Sequence, residues 1–95
     1  MALLWSPEAL QDLTDIRAYI AQDDPHAAKV VVERIVRLVA EQVPDNPEIG
    51  RPGRVAGTRE LVITRTPFVV PYRVREGAID ILRVYHAARM WPESF

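Results

Sequence analysis

The sequence predicts an α+β fold in the order β-α-α-β-β-β, with an N-terminal helical hairpin packed on one face of a small, mainly antiparallel sheet. Three observations carry that expectation. Apolar residues recur at helical spacing behind two Pro-containing helix starts. Residues 44–57 then gather three prolines and three glycines. Beyond them the apolar pattern shortens to strand-like alternation, in segments rich in Val, Ile and aromatics.

Taken in order, "ALLW" (residues 2–5) is an apolar run long enough for one strand. Ser6-Pro7-Glu8 reads as a helix start, with Ser6 as N-cap, Pro7 at the first helical position and Glu8 near the positive end of the dipole. Leu10, Leu13, Ile16 and Ile20 follow as the apolar face, with Gln11, Asp12, Asp15 and Arg17 between them. In "QDDPHA" one helix ends and the next begins, capped by Asp24 with Pro25 behind it. Ala28, Val31, Val32, Ile35, Leu38, Val39 and Val43 share one side of that second helix, which Pro44 stops. So short a connection makes the pair an antiparallel hairpin. "TRELVIT", "FVVPYRV" and "AIDILRVYH" then read as strands joined by turns at Thr66-Pro67 and Glu76-Gly77.

Residues 1–95 are read as a single domain, near the lower size at which one hydrophobic core suffices. An apolar fraction of 48% and a charged fraction of 26% are those of an ordinary soluble protein. With no cysteine and two well-separated histidines, neither a disulfide framework nor a zinc site is expected, and no cofactor is indicated. No signal peptide or membrane span is legible, so a cytoplasmic location is the expectation. The net charge of −1 hides an asymmetry: residues 1–50 hold four basic side chains against nine acidic, and residues 51–95 hold eight arginines against four acids. Arginine suits bidentate recognition of carboxylate or phosphate, so an anionic partner for the second half is one reading. Mutual neutralisation of the two halves is the other.

Strand alternation assigns Leu61, Ile63, Phe68, Val70, Tyr72, Val74, Leu82 and Val84 to the face under the helices. The opposite face receives Glu60, Val62, Thr64, Val69, Pro71, Arg73, Ile81, Arg83 and Tyr85, and no helix is left to cover it. Such a half-apolar face fits a docking surface or a shallow site. Pro71 points to an edge or a bulge. Arg51, Arg54 and Arg59 are expected to gather near Arg73 and Arg83 as an arginine cluster, although "GRPGRVAG" lacks the spacing and following helix of a phosphate loop. In "VYHAARMW" His86 and Arg89 stand at the strand end, as proton carrier and anion holder or as ordinary polar residues of a fraying end. Trp91 is expected in the core, since a small domain has few aromatics to spare.

The segments "WSPEALQDLTDIRAYIAQDDPHAA", "EIGRPGR", "GTRELVITRTPFVVPYRV" and "IDILRVYHAAR", in that order, resemble the toxins of bacterial type II toxin–antitoxin modules in the RelE/ParE superfamily. The resemblance covers nearly the whole chain and implies a toxin of the plasmid-stabilisation type, neutralised by a cognate antitoxin in a hetero-oligomer. RelE-like members are ribosome-dependent mRNA endonucleases with basic residues, or a glutamate with an arginine and a histidine, on the exposed sheet face. This chain departs from that pattern, with Glu60 and Val62 where lysines commonly stand and Val69 where an arginine is usual. ParE-like members lack those residues and poison DNA gyrase; "PFVVPYRV" followed by "ILRVYH" looks more like them.

The resemblance therefore implies ParE-like growth arrest through gyrase first, RelE-like cleavage of mRNA on the ribosome second, and an inactive antitoxin-binding module third. In the second case Glu60 is the candidate base, His86 the acid, and Arg73, Arg83 and Arg89 the charge clamp. Glu60 and His86 have opposite strand parity, so they meet only if the last strand twists or bulges near Tyr85. The antitoxin-binding or target-binding residues expected are Arg51, Arg54, Arg59, Val62, Val69, Arg73, Ile81, Arg83 and Tyr85. Antitoxins of this kind bind through a partly disordered, often acidic segment that folds on the toxin.

Overall fold

The computed structural model describes residues 1–95. Strand β1 (Ala2–Trp5) leads into helices α1 (Pro7–Ala21) and α2 (Pro25–Gln42). Then follow β2 (Arg51–Pro52), β3 (Arg59–Val62), β4 (Phe68–Arg75), β5 (Ala78–Ile81) and β6 (Tyr85–His86). The sheet runs β1-β5-β4-β3-β2, with β6 also paired to β4. Only β1 and β5 are parallel, aligned from Ala2 opposite Ala78 to Trp5 opposite Ile81. No helix is long and apolar enough to cross a membrane.

Both helix starts are capped as their sequences dictate. Ser6 Oγ accepts from the Ala9 N–H at 3.0 Å, and Asp24 Oδ1 accepts from the Ala27 N–H at 3.0 Å. Each cap is followed by proline at the first helical position, where a missing N–H costs nothing. α2 presents the stripe expected of it: Ala28, Ile35, Leu38 and Val39 are buried, and Val31 and Val32 pack at the rim of the core. On α1 the face is turned from expectation. Ala9 is fully buried while Leu10 is 52% exposed, so the inward stripe is Ala9, Asp12, Leu13 and Ile16. An alanine against a close neighbour and one paired aspartate complete it, which a search for large apolar residues passes over.

The sheet contributes Leu61, Ile63, Val70, Tyr72, Ile79, Ile81 and Val84 to the same core. Ile81 therefore belongs under the helices, a correction to its expected place on the outer face; Leu82 is only half-buried. The cause is a bulge. Tyr72 pairs with Ile81 and Val69 with Tyr85, so three residues (Leu82, Arg83, Val84) stand opposite two (Pro71, Val70). The single expected third strand is thus broken into β5 and β6, and its parity flips across the break. Val74 keeps core parity but is 41% exposed, near the β4–β5 turn beside the loop after α2. That turn takes its positive φ of 73° at Gly77, where an L side chain is disfavoured.

Candidate functional site

The bulge is held from the helical layer, and this sets the geometry around it. Asp12 on α1 accepts from Arg83 Nε at 2.8 Å, Arg83 Nη2 at 2.9 Å and the Val84 N–H at 2.9 Å. Ser6 Oγ donates to the Leu82 carbonyl at 2.8 Å while it caps α1, and the Leu82 N–H donates to the Pro71 carbonyl. Two backbone groups freed by the bulge, the Leu82 carbonyl and the Val84 N–H, are therefore satisfied by α1 and its cap. The Asp12 carboxylate also holds the Arg83 guanidinium more firmly protonated than an ordinary arginine. By periodicity Asp12 falls among the polar residues of α1, and the signal for its role is its place three residues after Ala9 and one before Leu13, on the buried stripe.

On the outer face, Glu60 is 1% exposed and fully engaged. Its Oε1 accepts from Arg51 Nε and Nη2 at 3.1 and 2.9 Å, and its Oε2 accepts from the Arg54 N–H at 2.7 Å. The Arg54 guanidinium lies 3.8 Å from the same carboxylate and 4.3 Å over the Trp91 ring. Trp91 in turn meets Tyr85 edge-on at 5.0 Å, and Phe95 stacks on Tyr85 at 6.2 Å. Residues from the 51–58 loop and the C-terminal segment thus meet over the middle of the face expected to be bare. Val69 and Tyr85, expected as exposed contacts, are each 2% exposed, and Trp91 packs half-buried on this outer face rather than in the core. Val62 is exposed, as expected.

The five arginines expected to cluster do not form one patch. Arg51 and Arg54 converge on Glu60, and Arg83 is taken by Asp12. Arg59 turns to the helical side and donates to the Gly50 carbonyl at 2.9 Å. Arg73 is half-exposed opposite Asp80, whose carboxyl is held below its usual range chiefly by the hydrogen bond from Arg75. Arg89 is exposed, stacks over Tyr85 at 4.5 Å and has no carboxylate partner.

Glu60 and His86 are not brought together. Glu60 pairs with Pro71 and His86 with Phe68, three positions apart on β4 and so on opposite faces. The bulge lies before Tyr85 and places His86 toward α1, where its ring meets Phe68 edge-on at 5.9 Å. His86 Nδ1 accepts from the Ala88 N–H at 3.1 Å, which puts the proton of the neutral ring on Nε2. No three His, Cys, Asp or Glu side chains converge as a metal site would require.

Comparison with known proteins places this architecture in a class of small toxins. The "Chromosomal ParDE TA system from P. aeruginosa" contains a chain that superposes with a TM-score of 0.81 at 38% identity, covering 90% of this chain and 95% of that one. Y4kP of Sinorhizobium fredii is 45% identical over 94% of this chain and 91% of its own length. Toxin RelE2 of Caulobacter vibrioides is 41% identical over 93% and 97%. The family described as "ParE toxin of type II toxin-antitoxin system, parDE" matches residues 3–91, and the chain belongs to that family, within the RelE/ParE superfamily. Membership implies an antitoxin partner.

Proposed function

We propose that this toxin arrests growth in the ParE manner, by acting on DNA gyrase, and that a cognate antitoxin neutralises it in the cytoplasm as a hetero-oligomer. The observation that carries the reading is that the candidate base and acid of an RNA-cleaving site, Glu60 and His86, lie on opposite faces of the sheet. Cleavage through the ribose 2′-hydroxyl needs a base and an acid either side of one phosphate, with cations on its oxygens. Here Glu60 is buried in an ion pair with Arg51, and His86 lies on the other face with one nitrogen bonded to the backbone. Arg83 is neutralised by Asp12.

Purified toxin added to gyrase, relaxed plasmid and ATP is expected to inhibit supercoiling, and His86→Ala is expected to inhibit equally. Unimpaired supercoiling at a large molar excess of folded toxin would count against the reading. One observation favours a second: two Caulobacter vibrioides relatives, 41% and 31% identical, carry the names RelE2 and RelE3. On that reading the chain cleaves mRNA on the ribosome, with His86 and Arg89 rearranged there into a site. A chain that inhibits neither gyrase nor translation would be an antitoxin-binding module alone.

A further inference from the structure

Beneath the C-terminal segment, beside the bulge, lies an open cavity of about 620 Å³ whose lining includes Glu8, Arg83, Tyr85, Arg89, Trp91 and Phe95. Three features of its lining bear on what it could hold. Its lining offers three aromatic rings, of which Trp91 and Phe95 both rest on Tyr85. Its one cation without a carboxylate partner is Arg89, since Arg83 is committed to Asp12. The Trp91 indole N–H is buried and has no acceptor, a donor left unsatisfied at a cost of about 1–3 kcal/mol. Furthermore, residues 90–95 make no backbone–backbone hydrogen bond. The segment is held only by side-chain contacts, so it can shift to admit a guest.

We propose that this cavity binds an extended segment of a partner protein in which an aromatic or large aliphatic side chain stands next to a carboxylate. The apolar side chain lies against Trp91 and Phe95, the two rings of the lining that keep exposed surface. The carboxylate pairs with Arg89 and supplies the acceptor that the Trp91 indole N–H lacks. Charge selects one carboxylate over a phosphodiester chain: the lining holds a single free guanidinium together with the acidic Glu8, and the whole chain carries −1. The site rests on this geometry alone and is independent of whether gyrase or the ribosome is the target.

The test is a titration of the isotope-labelled full-length chain with a short peptide containing Phe-Asp, followed through the indole N–H resonances of Trp5 and Trp91. The expected result is a saturable shift of the Trp91 resonance, with Trp5 unmoved. Arg89→Ala, or a Phe-Asn peptide of the same length, is expected to weaken binding about tenfold, the loss of one charge-assisted hydrogen bond. Arg17→Ala, an equal charge change on the exposed side of α1, is expected to leave it unchanged. Arg89→Lys keeps the charge and is expected to stay within a few-fold of the parent. Three outcomes would each overturn the proposal: no shift of Trp91 up to the solubility of the peptide, equal affinity in Arg89→Ala, or tighter binding of a short oligothymidylate than of the peptide.

Discussion

Asp12 and Tyr72 are two polar side chains that tie this small core to its periphery. Asp12 offers three acceptor contacts to the bulge, so truncating it leaves a half-buried guanidinium and the Val84 N–H without partners. Asp12→Ala is expected to cost about 2–4 kcal/mol in urea unfolding, and Asp12→Asn clearly less because it keeps one acceptor. A loss below about 0.5 kcal/mol for Asp12→Ala would show that the bulge does not depend on it. Tyr72 is fully buried; its hydroxyl donates to the Pro47 carbonyl at 2.7 Å and accepts from the Gly50 N–H at 2.9 Å. Gly50 is needed for that approach, since a Cβ there would lie 2.6 Å from the hydroxyl.

Burial raises the pKa of the Tyr72 hydroxyl above 10.0, outweighing the lowering by the Gly50 hydrogen bond and by Arg59. The folded state thus holds this proton more tightly than the unfolded chain. The resulting stabilisation is complete below the unfolded pKa and is lost as pH rises through the folded one. Tyr72→Phe is expected to cost about 1–3 kcal/mol at neutral pH, because the buried Gly50 N–H and the partly buried Pro47 carbonyl lose their partner. The variant should also lack the part of the alkaline decline that Tyr72 causes. Parallel stability curves for parent and variant up to and beyond pH 10 would contradict this.

At the scale of the elements, α1 and the broken last strand separate what the sequence makes legible from what it does not. Local rules suffice for β1, both N-caps, the inward face of α2 and the antiparallel run of β3, β4 and β5, because capping, proline placement and periodicity act over a few residues. The short β2 lies in a segment that reads as loop. The orientation of α1 was misread because its buried stripe uses Ala9 and Asp12 in place of large apolar residues. The exposed Leu10 is the consequence, and it gives a test. Leu10→Gln is expected to change stability by less than about 0.5 kcal/mol, whereas Ala9→Leu is expected to cost about 1–3 kcal/mol by overpacking. Thermal unfolding of the two variants with the order reversed would place the stripe where the apolar residues alone suggest. The bulge was likewise illegible: "AIDILRVYH" alternates well as one strand, and only the contacts of Ser6 and Asp12, more than 70 residues away, fix the break.

At the scale of the whole molecule, the charge asymmetry is resolved partly within the fold. Asp12 from the acidic half takes Arg83 from the basic half, while Arg51 and Arg54 pair with Glu60 inside their own half. The arginine excess therefore serves the fold before any partner, and the candidate surface read from the sequence shrinks. Val69, Ile81 and Tyr85 leave it by burial, and Arg51, Arg54 and Arg83 are already paired. The family resemblance survives because it rests on element order and spacing along the chain. The target is a different matter, since it depends on which groups meet in space.

That question is decided most directly by pulse-labelling DNA and protein synthesis in cells in the minutes after the toxin is induced without its antitoxin. The expected result is that DNA synthesis fails first, with His86→Ala indistinguishable from the parent. Collapse of protein synthesis first, abolished in folded His86→Ala, would contradict the gyrase reading and make His86 part of a nuclease site.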